Sequence, residues 1–170
     1  MVGSSGHRAR VAAALATVAV LSLVVASAVD ARGPGVIHHV SAGGPDACVA
    51  LDAKPGCDGN YSLVASEYAD GTATGQYTDR FADGNGIKGV VDCLRVVGNE
   101  AWISGWITSG RFDDIDLAGL PFVTRVRDNG TSSQQPADQI SSSHTGDPTP
   151  CSEMVPYELL DTPQGQVVVK

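Results

Sequence analysis

The chain has 170 residues, 42% of them hydrophobic, with 11 Lys and Arg against 19 Asp and Glu for a net charge of −8. That length suffices for one domain with a real core, and the acidic balance argues against nucleic acid and anionic membrane, which select clustered basic residues. The acidic residues are scattered, a pattern that serves solubility more than recognition of a cationic partner.

The first element is a leader. His7, Arg8 and Arg10 precede an uncharged apolar run from Val11 to Ala28, which closes on the small residues Ala26-Ser27-Ala28. That order is a secretory signal peptide. Residues 1–28 are therefore expected to be removed, with cleavage as late as residue 31, leaving residues 29–170 as a single exported β-domain. An uncleaved membrane anchor is the competing reading, because the run approaches the length that spans a bilayer. The basic start and the cleavable end favour a secreted, extracellular product with no membrane contact after cleavage. Loss of Arg8 and Arg10 with the leader takes the net charge to −10.

All four cysteines, Cys48, Cys57, Cys93 and Cys151, lie in the exported part, where disulfides persist. Four cysteines allow three pairings, and the expected one is Cys48–Cys57 with Cys93–Cys151. The first closes a short loop around Lys54-Pro55-Gly56, and the second ties the Pro-rich tail to a central strand. A zinc site made by all four thiolates and a thiol nucleophile are the alternatives, but there is no C-x-x-C pair and export favours oxidation, so no metal is expected there.

From Tyr61 to Ile107 the apolar pattern has period two and is broken by short turns, as antiparallel hairpins are. Tyr61–Ala69 and Thr72–Phe81 are predicted to meet at Asp70-Gly71, which sets Tyr61 opposite Arg80 and puts Val64, Tyr68 and Tyr77 on one face. Ile87–Val97 and Glu100–Thr108 are predicted to meet at Gly98-Asn99. Phe122–Asp128 reads as a fifth strand, and Gln139–His144 and Gln166–Val169 as weaker ones. The fold class is all-β: an antiparallel meander of about seven or eight strands, closed as a small barrel or folded as a sandwich, and stabilised by disulfides.

In the second hairpin the turn sets Val96 opposite Ala101, Leu94 opposite Ile103, Asp92 opposite Gly105 and Val90 opposite Ile107. These pairs share a face that is aliphatic except for Asp92. A buried carboxylate is expensive unless paired, and Arg80 and Arg125 are its conceivable partners; such a pair inside a small barrel is a candidate for binding a polar ligand or for general-base chemistry. The opposite face carries Val91, Cys93, Arg95, Trp102 and Trp106, with Arg95 facing Trp102 in a cation–π arrangement. Trp102 and Trp106 lie about 13 Å apart along one strand, so together with Arg95 they form a candidate ligand platform. The competing reading is that the tail, brought over by Cys93, covers them.

Other motifs carry less. His38-His39 with Asp46 is a poor metal set, since adjacent strand residues point apart. Ser141-Ser142-Ser143-His144 lacks the G-x-S-x-G elbow of a hydrolase. Asp114-Ile115-Asp116 starts like a calcium loop, but Arg125 stands where the bidentate glutamate belongs. Asn60-Tyr61-Ser62 and Asn129-Gly130-Thr131 are formal glycosylation sequons.

Three blocks resemble a group of exported bacterial β-rich domains of uncharacterised function: Ile37-His38-His39-Val40-Ser41 through Cys48, Val91-Asp92-Cys93-Leu94 through Gly105, and Arg125–Gly130 followed by Asp138-Gln139-Ile140-Ser141. The resemblance implies a β-fold and export, and it brings no catalytic residues with it. The expected function is an exported non-enzymatic binding or structural module, needing no cofactor, whose partner is a protein, a glycan or a small molecule. The alternatives are a barrel hydrolase or lyase using Asp92 with Arg80 or Arg125, and a secreted inhibitor presenting the Cys48–Cys57 loop. A polar cavity around Asp92 favours the first alternative, and exposed apolar loops the second.

Overall fold

The computed structural model describes residues 35–45, 59–81, 84–132 and 134–170. The leader and the Cys48–Cys57 pair lie outside these residues. Within them the chain is all-β, with strands β1 (Val36–Pro45), β2 (Asn60–Tyr68), β3 (Ala73–Arg80), β4 (Gly86–Val97), β5 (Glu100–Phe112), β6 (Ile115–Asp116), β7 (Pro121–Arg127), β8 (Gln139–Ile140), β9 (His144–Thr145), β10 (Leu160–Asp161) and β11 (Gln166–Val169). Four of these are two-residue pairings, and the seven longer ones carry the sheet. No helix among the described residues is long and apolar enough to cross a membrane.

The strands make one antiparallel sheet in the order β10-β8-β7-β5-β4-β3-β2-β1-β11, curled into a half-barrel rather than split into a sandwich. Its concave face holds the core, which draws Val40 and Ala42 from β1, Leu63 from β2, Tyr77 from β3, Leu94 from β4, Ile103 from β5, Phe122 and Val126 from β7 and Val167 from β11. The rings of Tyr77 and Phe122 stack across the middle at 5.3 Å. Burial of the larger of these side chains stabilises by roughly 1.5–3 kcal/mol each, and the inward positions are mostly apolar, with Asp79 and Thr124 as buried polar exceptions.

The ends of the curl do not pair through backbone. Instead Asp138, just before β8, accepts the Val167 N–H at 2.6 Å, and Asp128, just after β7, accepts the Val169 N–H at 3.1 Å. Two carboxylates therefore span the seam between β11 and the β7–β8 segment, occupying edge donors that would otherwise be a template for another chain.

The Gly98-Asn99 turn behaves as expected: Gly98 takes φ 63°, Val97 faces Glu100 and Leu94 faces Ile103. The first hairpin differs by one residue. Tyr68 N–H bonds the Thr72 carbonyl and Gly71 takes φ 82°, so the loop holds three residues, Ala69 to Gly71, rather than two. Tyr61 consequently faces Asp79, not Arg80, and Leu63 faces Tyr77. A one-residue slip turns every side chain over. Val64 is exposed, and Asp79, only 6% exposed, points inward.

Asp92 also departs from its expected place on the aliphatic face. The predicted register holds through Cys93, which pairs with Ser104, and fails beyond it because Val91 pairs with Gly105, leaving Asp92 as the extra residue of a β-bulge. The bulge turns Val91 inward and Asp92 out to solvent, so the aliphatic face carries no Asp92 charge. Val90 faces Trp106, not Ile107, and is exposed. Gly105 opposite the bulge allows the close approach, since a Cβ there would lie 1.9 Å from the Val90 carbonyl oxygen.

Candidate functional site

The convex face of β4, β5 and β7 is where the polar chemistry gathers, because the tail crosses it. Cys93 follows the bulge on that face and is bonded to Cys151, whose Cα lies 5.8 Å away. Cys151 opens a short 3₁₀ turn and donates its N–H to Ser104 Oγ at 3.2 Å. Farther on, Trp102 Nε1–H donates to the Val155 carbonyl at 2.8 Å and Arg125 Nη1–H to the Tyr157 carbonyl at 2.9 Å.

This crossing separates the two tryptophans. Trp102 is 7% exposed, beneath the tail, whereas Trp106 is 50% exposed, so they do not form a joint platform. Arg95 does face Trp102 in register, but it projects into solvent, and the guanidinium 5.1 Å from the Trp102 ring centre is that of Arg125, on the strand at the other side. Arg125 also donates Nε–H and Nη2–H to Glu100, and Arg127 donates Nε–H to the same carboxylate at 2.9 Å. Burial is the largest single influence on Glu100 and raises its pKa, but the hydrogen bonds and charges of Arg125 and Arg127 together outweigh it, so the carboxyl sits below its ordinary value. Arg125 is thus committed to Glu100 and the tail, and Arg80 lies exposed at the end of β3. The structure does not bring either arginine to Asp92, whose bonded partner is Trp106.

A cleft of about 190 Å³ opens beside Trp106. One wall is Trp106 with Asp92, held together by the indole Nε1–H donating to Asp92 Oδ2 at 2.8 Å. The other wall is Asp147-Pro148-Thr149-Pro150, the segment leading into Cys151. Asp147 is fixed by Thr149 N–H at 2.9 Å and by the Tyr157 hydroxyl at 2.8 Å, and His144 stacks on Tyr157 with ring centres 4.0 Å apart. Hydrogen bonding from Thr149 first, then Tyr157, holds the Asp147 carboxyl below the usual range. Burial, followed by the bond to Asp147, pushes the Tyr157 phenol up to about 12.

That shift has a measurable consequence. A folded pKa of about 12 against 10.0 in the unfolded chain gives stability that is complete below pH 10 and drains away as the pH rises from 10 through 12. In urea unfolding across that range, Tyr157→Phe should be less stable than the native protein at neutral pH and should lose less on alkalinisation. Parallel curves for the two proteins would show that Tyr157 does not contribute this way.

The remaining sequence candidates fall elsewhere. Ser141 Oγ accepts the Arg125 N–H and Ser143 donates weakly to Asp79, while His144 lies on Tyr157, so these side chains do not line up as a nucleophile with its base. His39 Nδ1 meets Ser66 Oγ at 3.0 Å, and Asp46 is outside the described residues. Asp116 caps Ala118 N–H within its own turn. Among the described residues no group of three or more His, Cys, Asp and Glu is placed to hold a metal ion. The buried carboxylate that sequence reasoning sought at Asp92 is Asp79, which accepts from the Tyr77 hydroxyl at 3.3 Å at one end of the half-barrel, in a cavity of about 170 Å³ also lined by Phe81, Arg111 and Phe112. The signal that could have found it is the inward alternation of Tyr77 and Asp79 once the loop is counted as three residues. Asn129 of the second sequon donates its side-chain amide to the Ala137 carbonyl at 2.6 Å.

Comparison of the chain with family models, with curated proteins and with solved structures finds no match. The functional reading therefore rests on the geometry of this chain.

Proposed function

We propose that the chain is an exported, non-enzymatic binding domain whose ligand enters the cleft between Trp106 and the Asp147–Pro150 segment. The observation that carries this is the state of Trp106. It is half exposed, its indole N–H is anchored on Asp92, and it borders a cleft whose opposite wall is tethered by a disulfide. Large aromatics are usually packed away, as Trp102 is, and one held in a fixed orientation at a cleft mouth is preorganised to bind. The leader and the disulfide support export. The arginines that a hydrolase or lyase would pair with Asp92 have other settings, which leaves binding as the better supported activity.

The test uses the two indole N–H signals of the ¹⁵N-labelled protein, with Trp102 as the internal reference. Titration with a lysine-containing pentapeptide and with cellohexaose should move the Trp106 signal for at least one probe and leave that of Trp102 in place. Trp106→Ala should abolish binding at a cost of under about 1 kcal/mol in stability, since the side chain is half exposed. If neither probe moves the Trp106 signal, the cleft is not the binding site.

A further inference from the structure

The charge around the cleft narrows the ligand class. Asp92 and Asp147 stand on its two walls, and its other lining residues are uncharged. Acidic residues that are scattered in sequence are thus brought to one opening by the bulge on β4 and the disulfide-held tail. The Asp147 carboxylate is kept ionised by its bonds to Thr149 and Tyr157. Asp92 is exposed and uses Oδ2 for the indole, which leaves Oδ1 for a ligand. A carboxylate on an indole N–H also enriches the ring in electron density, strengthening its attraction for a cation at its face. A neutral ligand can stack on the ring or donate hydrogen bonds to the carboxylates, whereas a cation gains charge attraction from the ring and from both carboxylates.

Beyond the cleft the surface continues as a row. Val64, Gln76, Val90, Trp106 and Pro121 are in register across β2, β3, β4, β5 and β7, spanning about 19 Å at the usual strand spacing. Val64 and Val90 are each roughly half exposed. A free amine would need the cleft alone, and this adjoining strip gives a peptide somewhere to lie.

We infer that the Trp106 cleft seats a lysine or arginine side chain borne by a basic partner protein, whose adjoining segment lies along the Val64–Val90 row. The inference rests on the binding reading above and adds the ligand class to it. A chain of net charge −10 after loss of the leader also steers basic partners toward itself.

The test compares four probes on the Trp106 indole signal: acetyl-Gly-Val-Lys-Val-Gly-amide, the same peptide with norleucine for lysine, methylammonium chloride, and cellohexaose. The lysine peptide should bind about tenfold or more tightly than the norleucine peptide and than methylammonium, and added salt should weaken it. Asp92→Asn keeps an oxygen for the indole N–H and removes only charge, so it should erase most of the lysine preference while the Trp102 signal stays put. Equal binding of lysine and norleucine peptides, or a response to cellohexaose alone, overturns the cationic ligand and leaves the binding reading standing. Methylammonium matching the lysine peptide overturns the partner protein in favour of a free amine. A Trp106 signal that none of the four moves overturns both readings.

Discussion

Replacing Cys93 and Cys151 together by alanine is expected to lower the unfolding free energy by about 4 kcal/mol, the value that the chain-entropy model assigns to a bridge between residues 58 apart in sequence. Substitution is preferable to reduction, because a reductant would also reach Cys48 and Cys57. The bridge does more than restrict the unfolded chain. Cys151 anchors the tail that buries Trp102, and the segment just before it forms one wall of the Trp106 cleft. The double variant should therefore show red-shifted tryptophan emission before the main urea transition, as the tail lifts and wets Trp102. It should also lose the Trp106 response to any ligand of the cleft. A loss in stability under about 1 kcal/mol with unshifted emission would mean that the Trp102–Val155 and Arg125–Tyr157 bonds hold the tail without the bridge.

The sequence made legible those features that local chemistry specifies. Gly98-Asn99 can form a two-residue turn, and that turn sets the pairs from Val97 with Glu100 to Leu94 with Ile103. The Cys93–Cys151 bridge and the covering of Trp102 by the tail were readable together, since a cysteine on the tryptophan face must bring its partner there. Strand β1 was not legible as a strand, because His38-His39 and Gly43-Gly44-Pro45 break its alternation, yet it lies between β2 and β11 in the sheet.

The settings of Asp92, which the sequence reading puts inside, and of Asp79, which it does not consider, both trace to single inserted residues. One extra residue in the Asp70-Gly71 loop turned Asp79 inward, and one in the bulge turned Asp92 outward. An inserted residue leaves composition and periodicity nearly unchanged but inverts the faces of everything beyond it. The energetic hint was present all the same. An unpaired carboxylate in an aliphatic face costs several kcal/mol, and the three-residue step from Val91 to Leu94 is the spacing that a bulge produces. The candidate cleft was illegible for a different reason: Asp92 and Asp147 are distant in sequence, and only the bulge and the bridge bring them to one opening.

Asp138→Ala should be nearly as damaging as loss of the bridge, at about 4 kcal/mol, because the carboxylate is 7% exposed and serves two backbone donors, Val167 N–H at 2.6 Å and Asn129 N–H at 2.8 Å. Hydrogen bonds to a charged acceptor contribute roughly 1.5–3 kcal/mol each, and here the Val167 donor would be left buried and the Asn129 donor part-buried, both without their acceptor. Asp138→Asn should recover less than half of this, since an amide offers one acceptor where two are needed and turns an N–H toward the other donor. Asp128 is the internal comparison. It accepts Gly130 N–H at 2.8 Å and Val169 N–H at 3.1 Å from a half-buried position, so Asp128→Ala should cost only about 1–2 kcal/mol. Hydrogen exchange separates a local from a global effect: in Asp138→Ala the Val167 amide should lose protection ahead of the β4–β5 amides, because β11 is tied to the β7–β8 segment by these side chains and not by a ladder. Equal costs for the two aspartates, or a Val167 amide that stays protected in Asp138→Ala, would show that β11 is held by its pairing with β1 alone, and that the carboxylates merely shield an edge.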